Sequence, residues 1–168
     1  MRLLQNKFHA SGRITLHQGY SINGYNKIQI SKNFFANRYL RIEVFENERA
    51  VKLDIGNGVA EGENVHIAVG KSIEIHNNVL IGSRILITDH NHGTYSGSNQ
   101  SSSEIPPALR DLTYKDVVIG ANVWIGDGVI VLPGSKIGSG SIIGANSVVN
   151  GEIPENVIAL GTPCKIVR

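Results

Sequence analysis

An aspartate and two histidines stand within four residues of the stretch ILITDHNHGTYSG: Asp89, His90 and His92. Imidazole has an unperturbed pKa of about 6.5, so it is mostly neutral and basic at cell pH. Either histidine could therefore take a proton from a reacting group. A neighbouring carboxylate such as Asp89, or a main-chain carbonyl, could hold the ring in one orientation, as in a triad. Histidine also ligates metals, and His66, His76, His90 and His92 would supply enough imidazoles for a three-histidine centre.

Groups like these need a rigid support, and the flanking sequence describes one. In Val117–Val149 the residues Ile119, Ile125, Val131, Ile137, Ile143 and Val149 recur every sixth position, all β-branched. Two residues before each stand Val117, Val123, Val129, Ser135, Ser141 and Ser147. An earlier block repeats the columns: Ile67, Ile73, Val79 and Ile85 with Val69, Ile75, Ile81 and Ile87. Positions i and i+2 of a strand share a face, so each pair points inward together. Glycine, asparagine or aspartate then takes the corner at positive φ. A period of six implies short strands and tight turns, three strands to a coil, stacked as a parallel β-helix. A β-sandwich would want turn signals every ~8–12 residues.

The two blocks are out of phase, because the 32 residues from Ile87 to Ile119 are not a multiple of six. Residues from about 88 to 116 should therefore leave the coil and return as an excursion loop. TYSGSNQSSSEIPP, within it, is polar and ends in two prolines. Loops of this length inside a domain are often functional. Continuing the strand alternation past Ile87 turns Asp89 inward and both histidines outward. KIQI, RYLRIEV and AVKLDIGNGV alternate more loosely, so coils should begin before residue 30, behind an irregular cap over about 1–27. All 168 residues then form one all-β domain.

Composition narrows the classes. The net charge is +2 and the basic residues are scattered, which argues against a nucleic-acid partner. A single cysteine, Cys164, excludes an internal disulfide and fits a reducing compartment. MRLLQNKFHASGRITL has no apolar signal core, and no apolar run approaches the ~20 residues of a membrane span. A soluble cytoplasmic protein is the expectation.

NVWIG, VIVLPGSKIG, IIGANSVV and the ending IPENVIALGTPCKIVR resemble the left-handed β-helix, or hexapeptide-repeat, acyltransferases. The similarity is best with the maltose, galactoside and polysaccharide O-acetyltransferase branch and covers roughly residues 50–168. Left-handedness comes from this resemblance alone, since most parallel crossovers are right-handed. The resemblance implies a homotrimer that moves acetyl from acetyl-CoA to a sugar hydroxyl without a metal, in clefts between subunits formed partly by the excursion. Transfer would be direct, with main-chain N–H groups holding the oxyanion. No serine or cysteine stands in a nucleophile setting.

Laid ungapped on the family pattern, the catalytic base falls on His92, with His90 the close alternative and Asp89 as orienter. The resemblance further implies Trp124 near the thioester and Asn64 on the acceptor hydroxyl. It places Gly126, Gly144 and Ala145 along the CoA arm, and Lys165 and Arg168 near its phosphates. Cys164 and Gly151 depart from the pattern, standing where alanine and lysine are usual. DHNHG with SSSEIPP and LTYK is similar to the polysaccharide branch, implying a role in bacterial surface polysaccharide biosynthesis. Three alternatives stay open. One is N-acetylation of a nucleotide-linked amino sugar, and another is a silent scaffold. The third is a metal enzyme like the γ-class carbonic anhydrases, which space a histidine pair five apart where His90 and His92 are two apart.

Overall fold

The computed structural model describes residues 9–45 and 52–168. The chain winds as a three-sided prism whose walls are sheets of seven, eight and six strands among the described residues, parallel but for the last strand of the eight. Each coil gives one short strand to each wall. In the coil that leads to the Asp–His segment these are Ser72–Ile75, Leu80–Ile81 and Leu86–Thr88. These strands belong, in that order, to the first, second and third walls.

The six-residue columns become the lumen. Ile73, Ile75, Val79, Ile81, Ile85 and Ile87 are all buried, as are Val117 to Val149 at every paired position. Full burial of such side chains contributes about 1.5–3 kcal/mol each. In the last coils the inner positions Ser135, Ser141 and Ser147 are also buried, and each hydroxyl donates to a main-chain carbonyl: Val149, Pro154 and Gly144. At the corners Asn33, Asn64, Asn78, Asn122, Asn146 and Asn156 adopt φ of 57–61°. Asparagine tolerates this left-handed region because its short polar side chain bonds locally.

Two features differ from the sequence expectation. Ile14–Leu16 pairs with Phe34–Ala36, and Ser21–Ile22 with Arg41–Val44, so a coil runs from His9 to Ile22 inside the stretch expected to be an irregular cap. Residues 1–8 of that stretch lie outside the described residues. The period is irregular at this end: His9 pairs with Gln29 and Ile14 with Phe34, steps of 20, and the next coil takes 25 from Phe35 to Ala60, whereas Val118 to Lys136 is the regular 18. The excursion is likewise not plain loop. His90–His92 pairs antiparallel with Leu112–Tyr114, making an arm that leaves the prism at a corner. The wall is continuous beneath it, since Glu74 pairs directly with Val118.

Candidate active site

The arm leaves at the corner between the third and first walls. The preceding coil turns that corner at Gly70, Lys71 and Ser72. There the main chain is changing walls, so its N–H groups are free of the ladder and must find other acceptors. Asp89 supplies them. It is fully buried, and its carboxylate accepts from the N–H of Gly70 (2.7 Å), Lys71 (2.6 Å) and Ser72 (2.8 Å). A buried carboxylate is tolerable when donors surround it in this way.

His90 sits on this fixed carboxyl group. Its Nδ1 lies 3.1 Å from Asp89 Oδ1 and 3.2 Å from Thr88 Oγ1. An ionised carboxylate only accepts, so Nδ1 is the nitrogen that donates to it, and in the neutral imidazole Nε2 then carries the lone pair. The ring is 10% exposed. Phe45 meets it edge-on at 4.9 Å between centroids, and Tyr114 lies 6.3 Å away. Tyr114 covers Gly70, where an added Cβ would stand 2.2 Å from its ring. That glycine is present for space. The base of the arm is fastened by Lys115 N–H to Asp89 O at 2.8 Å and by Lys71 to Asp116 at 2.9 Å.

His92 faces the same way, one strand pair further out, with its ring 6.4 Å from that of His90. It is exposed, and its carbonyl accepts from the Tyr95 hydroxyl, which in turn accepts from Arg110 Nη1 at 2.8 Å. The structure thus joins Asp89 to His90, and holds His92 through its main chain. Thr88, Phe45 and Tyr114 had no signal in sequence, because their role depends on which strands and arm residues meet.

A second locus is on the second wall. Trp124, 51% exposed, lines a pocket of about 440 Å³ with Gly126, Asp127, Ile142, Ile143, Gly144 and Ala145. That volume lies within the ~300–1,000 Å³ range of small-molecule sites. Four residues picked from sequence therefore share one pocket, and Asp127 joins them. The glycine at 126 is also required by stacking, since a Cβ would stand 2.7 Å from Ala145 N. Lys165 and Arg168 are exposed on the last, antiparallel edge of this wall. Cys164 is only half-buried there, packed against the end of the core, and burial pushes its thiol up from the ordinary value. Asn64 is exposed at the corner where the second wall meets the third, with its N–H on Arg38 O at 3.0 Å.

Within this chain these loci are apart. Asp127 of the Trp124 pocket accepts from Ser83 N–H at 2.9 Å, and the six residues from Ser83 to Asp89 span up to roughly 20 Å at ~3.3 Å per residue. Of the other histidines, His66 is on the third wall and His76 at the corner after the first. Among the described residues no three His, Cys, Asp or Glu side chains gather closely enough to hold a metal ion. No helix among them is long and apolar enough to cross a membrane.

A prism of stacked six-residue turns with parallel walls is the left-handed parallel β-helix of the hexapeptide transferases. The family model described as bacterial transferase hexapeptide (six repeats) matches residues 116–151. The chain is 42% identical over 99% of its length, and 83% of the relative's, to WbbJ of Escherichia coli K12, an O-acetyl transferase ascribed to lipopolysaccharide biosynthesis. It is 31% identical to the galactoside O-acetyltransferase of Lactococcus lactis, over 84% of this chain and 67% of that one. Among solved structures, a galactoside acetyltransferase in complex with coenzyme A superposes with a TM-score of 0.67 at 26% identity, over 99% of this chain and 68% of the other. A maltose O-acetyltransferase from Clostridium difficile 630 gives 0.61 at 29%, over 99% and 72%. The chain belongs to the hexapeptide-repeat acyltransferases, in the branch of the sugar O-acetyltransferases.

Proposed function

We propose that the protein moves acetyl from acetyl-CoA to a sugar hydroxyl in bacterial surface polysaccharide biosynthesis, with His90 as general base. The observation that carries this is the Asp89–His90 pair: a buried carboxylate, itself held by three N–H groups, fixes Nδ1 and leaves Nε2 to accept a proton. The ungapped family pattern favours His92, but the geometry favours its neighbour. An alcohol attacks a thioester poorly until its proton has a place to go, and Nε2 provides one. The oxygen adds to the thioester carbon, the tetrahedral adduct collapses to the ester as its C–S bond breaks, and the thiolate of coenzyme A leaves and takes up the proton that His90 had accepted.

The Trp124 pocket suits the thioester arm, and Lys165 and Arg168, at the end of the same wall, suit the phosphates. Because pocket and base are a strand's length apart in one protomer, a neighbouring subunit brings one to the other. A trimer with sites between subunits meets that need, and Asn64 would then face the acceptor across the cleft. Acetyl-CoA as donor and the single cysteine fit a cytoplasmic enzyme.

The test is acetyl-CoA consumption by the purified chain against a panel of sugars and oligosaccharides, with product masses read before and after mild base. Ester-linked acetyl is lost in base and amide-linked acetyl is kept. His90→Ala should lower kcat about 10²–10⁴-fold, the usual worth of a general base. Full activity in that variant would defeat the assignment.

A further inference from the structure

The strand Arg41–Val44 runs along the third wall toward the site, and the chain continues to Phe45. Arg41, Glu43 and Phe45 are alternate residues, so all three point away from the lumen. The last of them is the ring that meets His90 at 4.9 Å. Glu43 is one outward position before it, about 7 Å along the strand. Its carboxylate bridges two cations or donors: Oε1 is 2.6 Å from Arg41 Nη2, and Oε2 is 2.8 Å from His66 Nε2 on the next strand. Glu43 pairs across the wall with Ala68, and Ala68 with Thr88, so only a small side chain separates the Glu43 row from the row of Thr88 and His90.

Burial pushes the Glu43 carboxyl up, but the hydrogen bonds from Arg41 and His66 outweigh it and hold it below its ordinary value. The group is therefore ionised at neutral pH, partly exposed, and fixed in direction. Exposed ion pairs add little to the stability of a fold, so stability gives little reason for such a network here. A fixed carboxylate and guanidinium side by side are, by contrast, strong partners for neighbouring hydroxyls. Phe45 between them and His90 offers an apolar face to a pyranose ring.

We infer that Arg41, Glu43 and His66 form a second acceptor subsite, which binds the hydroxyls of the sugar adjoining the one that is acetylated. This rests on His90 being the catalytic base of a sugar acetyltransferase. The enzyme then selects an acceptor of at least two sugar units, with the reacting unit against Phe45 and His90 and its neighbour on Glu43.

The experiment compares galactose with lactose and glucose with maltose as acceptors for the full chain and for Glu43→Gln, with His66→Gln as a second variant. Wild type should use a disaccharide at least about tenfold better in kcat/KM than its monosaccharide, as one charge-assisted contact would give. Glu43→Gln should erase that preference by raising the disaccharide KM about tenfold, with kcat within twofold, the acetyl-CoA KM unmoved and the melting temperature retained. A wild type with no disaccharide preference, or a Glu43→Gln enzyme with an unchanged disaccharide KM, would overturn the subsite while leaving the His90 reading intact. A wild type that acetylates none of the four sugars would overturn the subsite as stated, whereas the reading on which it rests falls if the wider panel of sugars and oligosaccharides yields no ester-linked acetyl.

Discussion

Asp89 and Glu61 are both carboxylic acids buried in the same prism, at 0% and 3% exposure. Their surroundings are opposite. Asp89 accepts three main-chain N–H groups and holds His90. Neither oxygen of Glu61 has a partner, and burial pushes its pKa up to about 8. Position in the coil explains the difference. Glu61 is in mid-wall, on the strand Ala60–Glu61, where the ladder uses the main-chain groups: Ala60 N–H goes to Val79 O, and Gly62 N–H to Ile81 O. Asp89 is at a corner, where the neighbouring coil has N–H groups to spare. Burial alone thus does not decide whether an acid finds partners. The supply of unused backbone donors does, and in this β-helix that supply is at the corner.

Removing the corner carboxylate is the severest test of this contrast. Asp89→Ala leaves three N–H groups without an acceptor and His90 without an anchor. Stability should fall by about 3–5 kcal/mol, read from the denaturant midpoint, and acetyl transfer should fall with it. A loss under about 1 kcal/mol would mean that water or main chain can replace the carboxylate, and the corner would lose its special status.

Glu61 gives the converse test. Its folded pKa is above the unfolded value of 4.5, so between 4.5 and about 8 the folded state keeps a proton that the unfolded state loses. The sign follows: this contribution to stability is whole below pH 4.5 and declines as pH rises to about 8. At ~1.36 kcal/mol per unit, the loss from pH 6 to 8 is about 2–3 kcal/mol. Glu61→Met should flatten that slope and raise stability at pH 8. The same slope in wild type and variant would place the titration elsewhere.

How far sequence could reach is clear from particular residues. Ile73, Val117 and their columns were legible because a strict period of six has few physical readings. The break after Ile87 was legible as a phase error. The antiparallel ladder of the arm was not, since HNH meets LTY across 19 mostly polar residues with no turn signature that predicts pairing. Asp89 could be placed inward by alternation, but its donors could not be named, because Gly70 to Ser72 are brought to it by coil stacking. Phe45 was silent for the same reason: the strand that carries it reaches His90 only across another strand of the wall. Which histidine the aspartate would hold therefore needed the fold.

A smaller perturbation of the corner is Gly70→Ala. The new Cβ would stand 2.2 Å from the Tyr114 ring and 3.4 Å from Asp89 Oδ1. Tyr114 has to move, and the arm strand that pairs with His90 moves with it. Activity should drop about tenfold, with a stability loss of about 1–3 kcal/mol, the usual range for an overpacked site. Gly97, at the arm's exposed side with nothing within 4 Å of an added Cβ, has φ +80°, so Gly97→Asn, which tolerates that conformation, is the matched control and should leave activity unchanged.

The smallest effect is expected at His92, and it sharpens the contrast most. His90 and His92 are two residues apart on one strand, with rings 6.4 Å apart. They differ in what holds them: His90 Nδ1 is on a buried carboxylate, while His92 is tied by its carbonyl to Tyr95. A substitution to alanine keeps that carbonyl, so the Tyr95–Arg110 link survives. His92→Ala should therefore change kcat by less than about threefold, far below the 10²–10⁴ expected of a base. If instead it matched His90→Ala, the exposed ring would be the proton acceptor. The Asp89–His90 pair would then be a structural corner, and the ungapped family pattern would have been the better guide than the hydrogen bonds.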